Sequence, residues 1–376
     1  MFPANASGSD QTLLGGLRSI SHYRAMTVLS PRPTMDDVAR AAGVSKKTIS
    51  RFINNSPDVS TAMRARVEAA IAALGFVPNA QARALALRRT FLVALVHDGS
   101  DRGMREAVES GMLHAMEGSE LALVLRPLER DEAAGLRAFV DRHMPTGVVL
   151  LPPLSEREDL AAICEAAGVR CARLGRVRGE HDPTGNEACD DRGAMAALVG
   201  WLFRQGHHRI GLVGGPEASL TARQRELGYL DAMADHGFDR GLSLIVTGDY
   251  SFASGAEAAR LLLELSPRPS VIVACNDEMA AGVIAAAASA GIAVPGTLSV
   301  VGFGDTAIAA MTAPPLTSMH VPWAEMGHDA AARVSGGLID PLPDPSFETA
   351  MVLRGSVQAK LDYVRTSASM PEVMRR

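Results

Sequence analysis

A cluster of basic and hydroxyl side chains near the start of the chain has the chemistry needed to contact DNA. The cluster consists of Ser45, Lys46, Lys47, Thr48, Ser50 and Arg51. A guanidinium can donate two parallel hydrogen bonds to guanine, and an ammonium can reach bases or phosphates. We therefore expect Lys46, Lys47 and Arg51 to read bases. Ser45, Thr48 and Ser50 are expected to contact phosphates or base edges.

Two short helices joined by a turn are predicted to present this cluster. Thr34 and Asp37 have the spacing of a capping box at the start of the first helix, and Gly43 ends that helix. Ser45 is expected to cap the second helix, which runs over residues 46–53. This pattern predicts a helix-turn-helix, in which the second helix enters the major groove with its N-terminal side chains leading.

A third helix is predicted to follow over residues 61–74. Ser60 stands at its N-cap position, and Gly75 is well placed to end it. Residues 79–87 have helical propensity, but they span only about two turns. Because isolated helices of that length are marginal in water, this segment is expected to need a partner to form.

The distribution of charge supports a nucleic-acid-binding head on an acidic body. The chain has 376 residues and a formal net charge of −5, yet residues 31–90 contain ten Lys and Arg against four Asp and Glu. No apolar run is long enough to span a bilayer, and a secretory signal is not evident. The four cysteines form no C-x-x-C pair. A cytoplasmic protein without a disulfide framework or zinc ribbon is expected.

From residue 91 onward, short apolar runs alternate with Ala-rich helical stretches. Such strands predict parallel sheets covered on both faces by helices. Because about 270 residues is large for one such sheet, two lobes are expected. The predicted strands are Phe91–Val96, Leu121–Leu125, Gly147–Leu151, Arg209–Val213, Leu244–Thr247, Ser270–Ala274 and Leu298–Phe303. The expected division is a disordered extension (1–33), a DNA-binding domain (34–77), a hinge and linker (78–90), a two-lobed domain (91–357) and a tail (358–376).

The head closely resembles the DNA-binding domain of the lactose-repressor/galactose-repressor family of bacterial transcriptional regulators. The matching segments are TMDDVARAAGVS (34–45), TISRFIN (48–54), VS (59–60), LGFVPN (74–79) and ARAL (82–85). The last segment is similar to the hinge helix of that family. The resemblance implies a homodimer on a pseudo-palindromic operator, with Asn79 and Arg83 at the DNA and Leu85 wedged into a base step of the minor groove.

The body resembles the effector domain of the same family, which has a two-lobed periplasmic-binding-protein-like fold with parallel sheets and three crossovers. The matching segments include GHHRIGLVGGP (206–216), TARQRELGY (221–229), GDYSFASG (248–255), ACNDEMA (274–280), LSVVGF (298–303) and PPLT (314–317). By position, the resemblance implies that effector is contacted by Arg223, Tyr250 and Asn276, with Arg225, Phe252 and Asp305 as further candidates. A guanidinium, an aromatic face and an amide suit a sugar. Each arginine could instead form a surface ion pair, and Tyr250 and Phe252 could be core residues.

Two departures from the family pattern bear on the effector. Many members carry an aspartate directly after Gly-Phe, whereas this chain has Gly304 there and Asp305 one residue later. The loop after the first body strand, residues 97–102, is short and has no aromatic residue. The expectation is that neutral hexoses bind poorly compared with sugar acids or modified sugars, whose charge Arg223 and Arg225 could neutralise.

Other chemistry is poorly supported by the sequence. His207 and His208 have no partner at metal-ligand spacing, and neither a nucleophile elbow nor a phosphate-binding loop follows the strands. No cofactor, metal or catalytic residue is therefore expected. An α/β enzyme with a DNA-binding head, a free sugar-binding protein, and a regulator controlled by a protein partner or by no effector remain as alternatives to a sugar-controlled repressor.

Overall fold

The computed structural model describes residues 33–53, 57–76, 90–177, 186–238, 244–343 and 347–360. These residues fall into two compact units, one within residues 1–83 and the other within residues 84–376. The predicted extension before residue 33, the predicted hinge helix over 79–87, and residues 361–376 of the predicted tail lie outside the described residues.

The first unit is a three-helix head, with α1 at Met35–Ala42, α2 at Lys46–Ile53 and α3 at Thr61–Leu74. The predicted capping box is present: Thr34 and Asp37 exchange hydrogen bonds between side chain and backbone. Gly43 ends α1 with φ +62°, a left-handed conformation that residues with a Cβ rarely adopt. The three helices therefore begin and end where the sequence predicts.

A small apolar core holds these helices together. Val38, Ile49 and Val67 are each completely buried, and each comes from a different helix. The expected cap of α3 is only partly realised, because Ser60 stands at the N-cap position but its side chain makes no capping hydrogen bond. Leu74, the last residue of α3, is 36% exposed.

The first lobe of the body is a five-stranded parallel sheet in the order β2-β1-β3-β4-β5. Its strands are β1 Leu92–His97, β2 Ala122–Pro127, β3 Gly147–Leu150, β4 Arg170–Leu174 and β5 Asn186–Glu187. Its helices are α4 Arg102–Met116, α5 Glu132–His143 and α6 Glu158–Ala166, and a 3₁₀ turn spans Leu154–Glu156. Strand β3 is buried along its whole length, as expected for a strand covered on both faces.

The second lobe is a six-stranded sheet in the order β11-β10-β9-β8-β6-β7, in which only β11 is antiparallel. Its strands are β6 Ile210–Gly214, β7 Leu244–Thr247, β8 Val271–Ala274, β9 Ser299–Gly304, β10 Thr317–His320 and β11 Ala350–Val352. Its helices are α7 Asp191–Arg204, α8 Leu220–Asp235, α9 Phe252–Glu264, α10 Asp277–Ser289 and α11 Ala307–Met311.

The chain passes between the lobes three times. It leaves the first lobe after β5, returns after β10 to form α12 at Trp323–Val334, and crosses again to reach β11. Helix α12 belongs to the first lobe because it packs on α4, β3 and β4. The predicted two-lobed fold with parallel sheets and three crossovers is therefore confirmed.

The seven predicted strands are all present, with ends shifted by no more than two residues. Four further strands, β4, β5, β10 and β11, were missed. Strand β4 contains two arginines, and β10 reads Thr-Ser-Met-His, so neither has an apolar run. Strands β5 and β11 are only two and three residues long. Among the described residues, no helix is long and apolar enough to cross a membrane.

Candidate DNA-binding surface and effector site

The start of α2 forms an exposed polar surface on the head. Ser45 caps the helix, since its Oγ accepts a hydrogen bond from the backbone N–H of Thr48 at 3.1 Å. The Thr48 hydroxyl lies 2.9 Å from the same oxygen. Ile49 faces inward and is completely buried, which turns the predicted base-reading residues Lys46, Lys47 and Arg51 outward. Thr48 and Ser50 are half-buried beside them.

Two side chains outside the predicted set shape this surface, and both were missed in the sequence. Asp36 in α1 forms an exposed ion pair with Lys46, with Nζ and Oδ2 2.8 Å apart. Arg66 in α3 donates from Nη2 to the Ala42 carbonyl at 2.6 Å, which ties α3 to the turn before α2. No spacing rule marks either contact. The predicted DNA contacts Asn79, Arg83 and Leu85 lie outside the described residues.

The lobe junction is the region of the body where the two lobes face each other. It includes Asp101 of the first lobe and Arg225, Tyr250 and Asn276 of the second. Asn276 is the N-cap of α10: its Oδ1 accepts from the Met279 N–H and its Nδ2 donates to the Tyr250 carbonyl, both at 2.9 Å. Tyr250 is buried and has φ +70°, an uncommon conformation for a bulky residue. Two of the candidate effector residues, Tyr250 and Asn276, are therefore neighbours in the structure.

Arg225 is buried at the lobe junction, and its charge is balanced within the protein. Its Nε lies 2.7 Å from Oδ1 of Asp191, and its Nη1 donates to the Cys275 carbonyl at 2.5 Å. The guanidinium carbon also lies 4.1 Å from the ring centroid of Phe303, a cation–π contact. Arg225 is 3% exposed and Asp191 is 5% exposed. Because a buried charge without a partner is strongly destabilising, Arg225 and Asp191 each depend on the other.

Asp101 was missed in the sequence, although it belongs to the loop judged short and lacking an aromatic residue. It is the N-cap of α4 in the first lobe, and its side chain accepts from the Met104 N–H at 3.1 Å. Burial raises the pKa of Asp101, while the Met104 amide, Arg225 and a hydrogen bond with Asn276 oppose that rise. Asp101 therefore reaches groups of the second lobe. The sequence did offer one signal for Asp101, which is its position directly before a helical segment, where aspartate is a common N-cap.

Asp277 organises the turn that follows β9, whose last residue is Gly304. Its carboxylate accepts from the Ser318 hydroxyl at 2.6 Å and from the Thr306 backbone and hydroxyl at 2.7 and 2.9 Å. Burial raises the pKa of Asp277, and these three hydrogen bonds oppose the rise. Gly304 has φ +124°, and a Cβ there would lie 3.4 Å from the Asp277 carboxylate. An aspartate at 304 would thus bring a second negative charge to Asp277 in a strained conformation.

Three of the candidate effector residues are exposed or paired with other side chains of the protein. Arg223 is half-exposed and forms the surface ion pair considered as its alternative, with Nη1 2.6 Å from Glu226 Oε1. Phe252 is 46% exposed at the start of α9. Asp305 forms ion pairs with Arg354 at 2.7 Å and His320 at 3.3 Å. Each of these three residues lies within two positions of Arg225, Tyr250 or Gly304 in the sequence. Its side chain nevertheless has different surroundings from that neighbour.

Comparison with known proteins agrees with this architecture. Residues 34–79 match the family described as bacterial regulatory proteins, lacI family, and residues 199–357 match a periplasmic binding protein-like domain. The chain is 32% identical over 339 residues to the HTH-type transcriptional regulator CelR of Thermobifida fusca, covering 86% of this chain and 98% of the relative. It is 33% identical over 338 residues to the HTH-type transcriptional regulator GalR of Escherichia coli (strain K12), covering 86% and 95%.

Solved structures give the same result. A complex of the transcriptional regulator CelR with cellobiose matches with a TM-score of 0.62 and 30% identity, covering 86% of this chain and all of that chain. The Lac repressor dimer bound to operator and the anti-inducer ONPF matches with a TM-score of 0.70 and 26% identity, covering 87% and 99%. The chain belongs to the LacI family of bacterial regulatory proteins. It is a DNA-binding transcriptional regulator, and the resemblance inferred from its sequence is confirmed.

Proposed function

We propose that this regulator is a repressor that binds a pseudo-palindromic operator as a homodimer in the cytoplasm. The observation that carries the proposal is the outward face of α2, where Lys46, Lys47 and Arg51 stand exposed over a buried Ile49. The Lac repressor structure with similar architecture is a dimer on its operator, which supports the same assembly here. Ser45, Thr48 and Ser50 supply contacts to phosphates or base edges.

The segment over 78–90 is proposed as the hinge and linker between the DNA-binding domain (34–77) and the two-lobed domain (91–357). Within it, Leu85 is proposed to insert into a central base step, with Asn79 and Arg83 beside the DNA. Such wedges unstack a base step and kink the duplex, and the kink permits further contacts. Leu85→Ala is expected to reduce operator bending in a gel-shift bending assay while the body stays folded. An unchanged bend angle would remove Leu85 from this role.

The effector is proposed to be an uncharged sugar bound at the lobe junction by Asn276, Tyr250, Arg225 and Asp101. Sugar acids were expected because Gly304 replaces an aspartate common in the family and because Arg223 and Arg225 could neutralise an acid. The second of these reasons is weakened, since Asp191 already balances Arg225 and Glu226 pairs with Arg223. Asp101 adds a carboxyl group, which forms hydrogen bonds with hydroxyl groups. Relatives include a CelR–cellobiose complex and a ribose operon repressor, which supports a sugar.

Two measurements test this proposal. Selection of operators from random DNA, followed by titration at several salt concentrations, should give log K falling by about 0.9 per neutralised phosphate for each unit of log salt. Thermal-shift and calorimetric screening should compare neutral mono- and disaccharides with sugar acids and amino sugars. Tight binding of a sugar acid would overturn the uncharged class. Absence of selective DNA binding would overturn the proposal that this protein binds an operator.

A regulator of the same architecture that answers to a protein partner, or to no effector, is the second candidate. It is favoured by the way in which Arg225 and Asn276 already bond protein groups at the lobe junction. Thermal shift separates the candidates, because a ligand that binds only the folded body stabilises it by RT ln(1 + [L]/Kd), which rises with the logarithm of ligand concentration. A body that no sugar stabilises, and whose operator binding no sugar alters, would favour the second.

A further inference from the structure

Glu156 links the two lobes at a place that neither the DNA-binding face nor the candidate effector residues include. It ends the 3₁₀ turn after β3 in the first lobe and is 8% exposed. Its Oε2 accepts from the Leu220 N–H at 2.8 Å. Its Oε1 accepts from the Thr221 N–H at 3.3 Å and from the Ser219 hydroxyl at 3.4 Å. All three donors belong to the start of α8 in the second lobe.

The donors are groups that a helix leaves unsatisfied. The first N–H groups of a helix have no partner within it, and its N-terminus carries a partial positive charge. Ser219 caps α8 conventionally, since its Oγ accepts from the Ala222 N–H at 3.3 Å. The earlier two N–H groups are satisfied by Glu156 instead. A carboxylate from one lobe therefore completes the helix start of the other.

Helix α8 connects this contact to the lobe junction. The same helix carries Arg225, one turn further on, whose bonds to Asp191 and the Cys275 carbonyl lie within the second lobe. Asp101 of the first lobe also lies near Asn276, the N-cap of α10, which lowers the pKa of Asp101 against the effect of burial. At Glu156, the first lobe supplies a carboxylate and the second lobe supplies a helix N-terminus.

We propose that Glu156 is an interlobe clasp that holds the two lobes in their closed orientation without any effector. Opening the lobes separates the 3₁₀ turn from α8, breaks three hydrogen bonds to one carboxylate, and leaves the Leu220 and Thr221 N–H groups to water. An effector then acts on a body that is already closed, and its influence on DNA binding depends on whether it strengthens or strains this clasp. The clasp does not depend on the identity of the effector.

The experiment measures the distance between the lobes in the full-length, effector-free protein. All four native cysteines are buried, so spin labels can be directed to Glu129→Cys in the first lobe and Glu217→Cys in the second, both exposed positions. Dilution with unlabelled chain isolates distances within one protomer. Glu156→Ala and Glu156→Gln are compared with Glu158→Gln, an exposed carboxylate two residues away in the same segment.

We expect one short distance in the parent and in Glu158→Gln. Glu156→Ala should shift the distribution to longer distances, and Glu156→Gln should shift it less, because the amide keeps an acceptor but loses the charge. Hydrogen exchange at Leu220 and Thr221 should accelerate in the same order. An unchanged distance distribution in Glu156→Ala, with exchange faster only at the start of α8, would show a local helix cap and overturn the clasp. Failure of Glu156→Ala to fold would leave Glu156→Gln to decide by the same distances.

Discussion

The head and the lobe junction use charged side chains in opposite ways. In the head, Lys46, Lys47 and Arg51 are exposed within one turn and a half of a single helix. At the lobe junction, Arg225 and Asp191 are buried and are joined across 34 positions of the chain. A DNA-reading surface needs exposed donors that can meet a polyanion, whereas a buried site must satisfy its charges internally. The contrast shows why these two sites respond differently to substitution.

The largest effect is expected from breaking the buried pair at the lobe junction. Arg225→Ala leaves the Asp191 carboxylate buried without its partner, which should lower the free energy of unfolding by about 3–5 kcal/mol. Arg223→Ala removes an exposed ion pair two residues away and should cost only about 0–1 kcal/mol. Urea unfolding of both variants measures the difference. Equal losses would show that Arg225 is not the buried, paired group described here.

The head should respond in DNA affinity rather than in stability. Arg51→Ala is expected to weaken operator binding by about 1–3 kcal/mol and to relax specificity at one base pair in each half-site. Binding to random DNA should change much less, because nonspecific binding depends on phosphate contacts. Fluorescence anisotropy with operator and scrambled duplexes tests this directly. Equal weakening on both would reduce Arg51 to a phosphate contact.

The free energy of unfolding of the body should fall at acidic pH because His207 is buried. Burial lowers the pKa of His207 to about 4 from the usual 6.5, and its ring bonds the Ser270 hydroxyl at 2.9 Å and the Gln358 carbonyl at 3.1 Å. Between these values the unfolded chain binds the proton and the folded one does not. Stability therefore falls as the pH drops through 6.5 towards 4, by about 2 kcal/mol at pH 5. His207→Gln should flatten this part of the pH profile in chemical unfolding, and an equally steep profile would exclude His207 as its source.

The smallest effect is expected at the first helix cap. Thr34→Ala removes the side-chain acceptor of the capping box and should lower the stability of the head by about 1 kcal/mol. Ser60→Ala is the matched control, because Ser60 holds the same position in α3 but makes no side-chain capping bond. Hydrogen exchange of α1 and α3 in the full-length protein measures how much each substitution lowers the stability of its own helix. Similar losses in the two helices would contradict the difference in capping.

Features of the fold that depend on residues close together in the sequence were predicted, and features that depend on distant residues were missed. The capping box, the αL glycine and the bounds of α2 and α3 depend on residues a few positions apart, so the spacing of Thr34, Asp37, Gly43 and Ser45 was sufficient. Strand β4 was missed because Arg173 lies buried in it and donates to the Ser155 carbonyl at 2.6 Å. A buried arginine in a strand breaks the apolar pattern, and the partner that makes it tolerable is 18 residues away.

The sequence by itself determined the family, through its resemblance to known regulators. It also determined the helix-turn-helix and the α/β body, because local spacing and continuous apolar strands encode them. It also singled out Tyr250 and Asn276 as candidates. Only the tertiary structure separated Arg225 from Arg223, since the two differ in which side of α8 they occupy and in the partner they meet. It also brought Glu156 to α8 across 64 residues of chain. Burial and long-range pairing arise from the packing of the lobes, and no spacing along the chain records them.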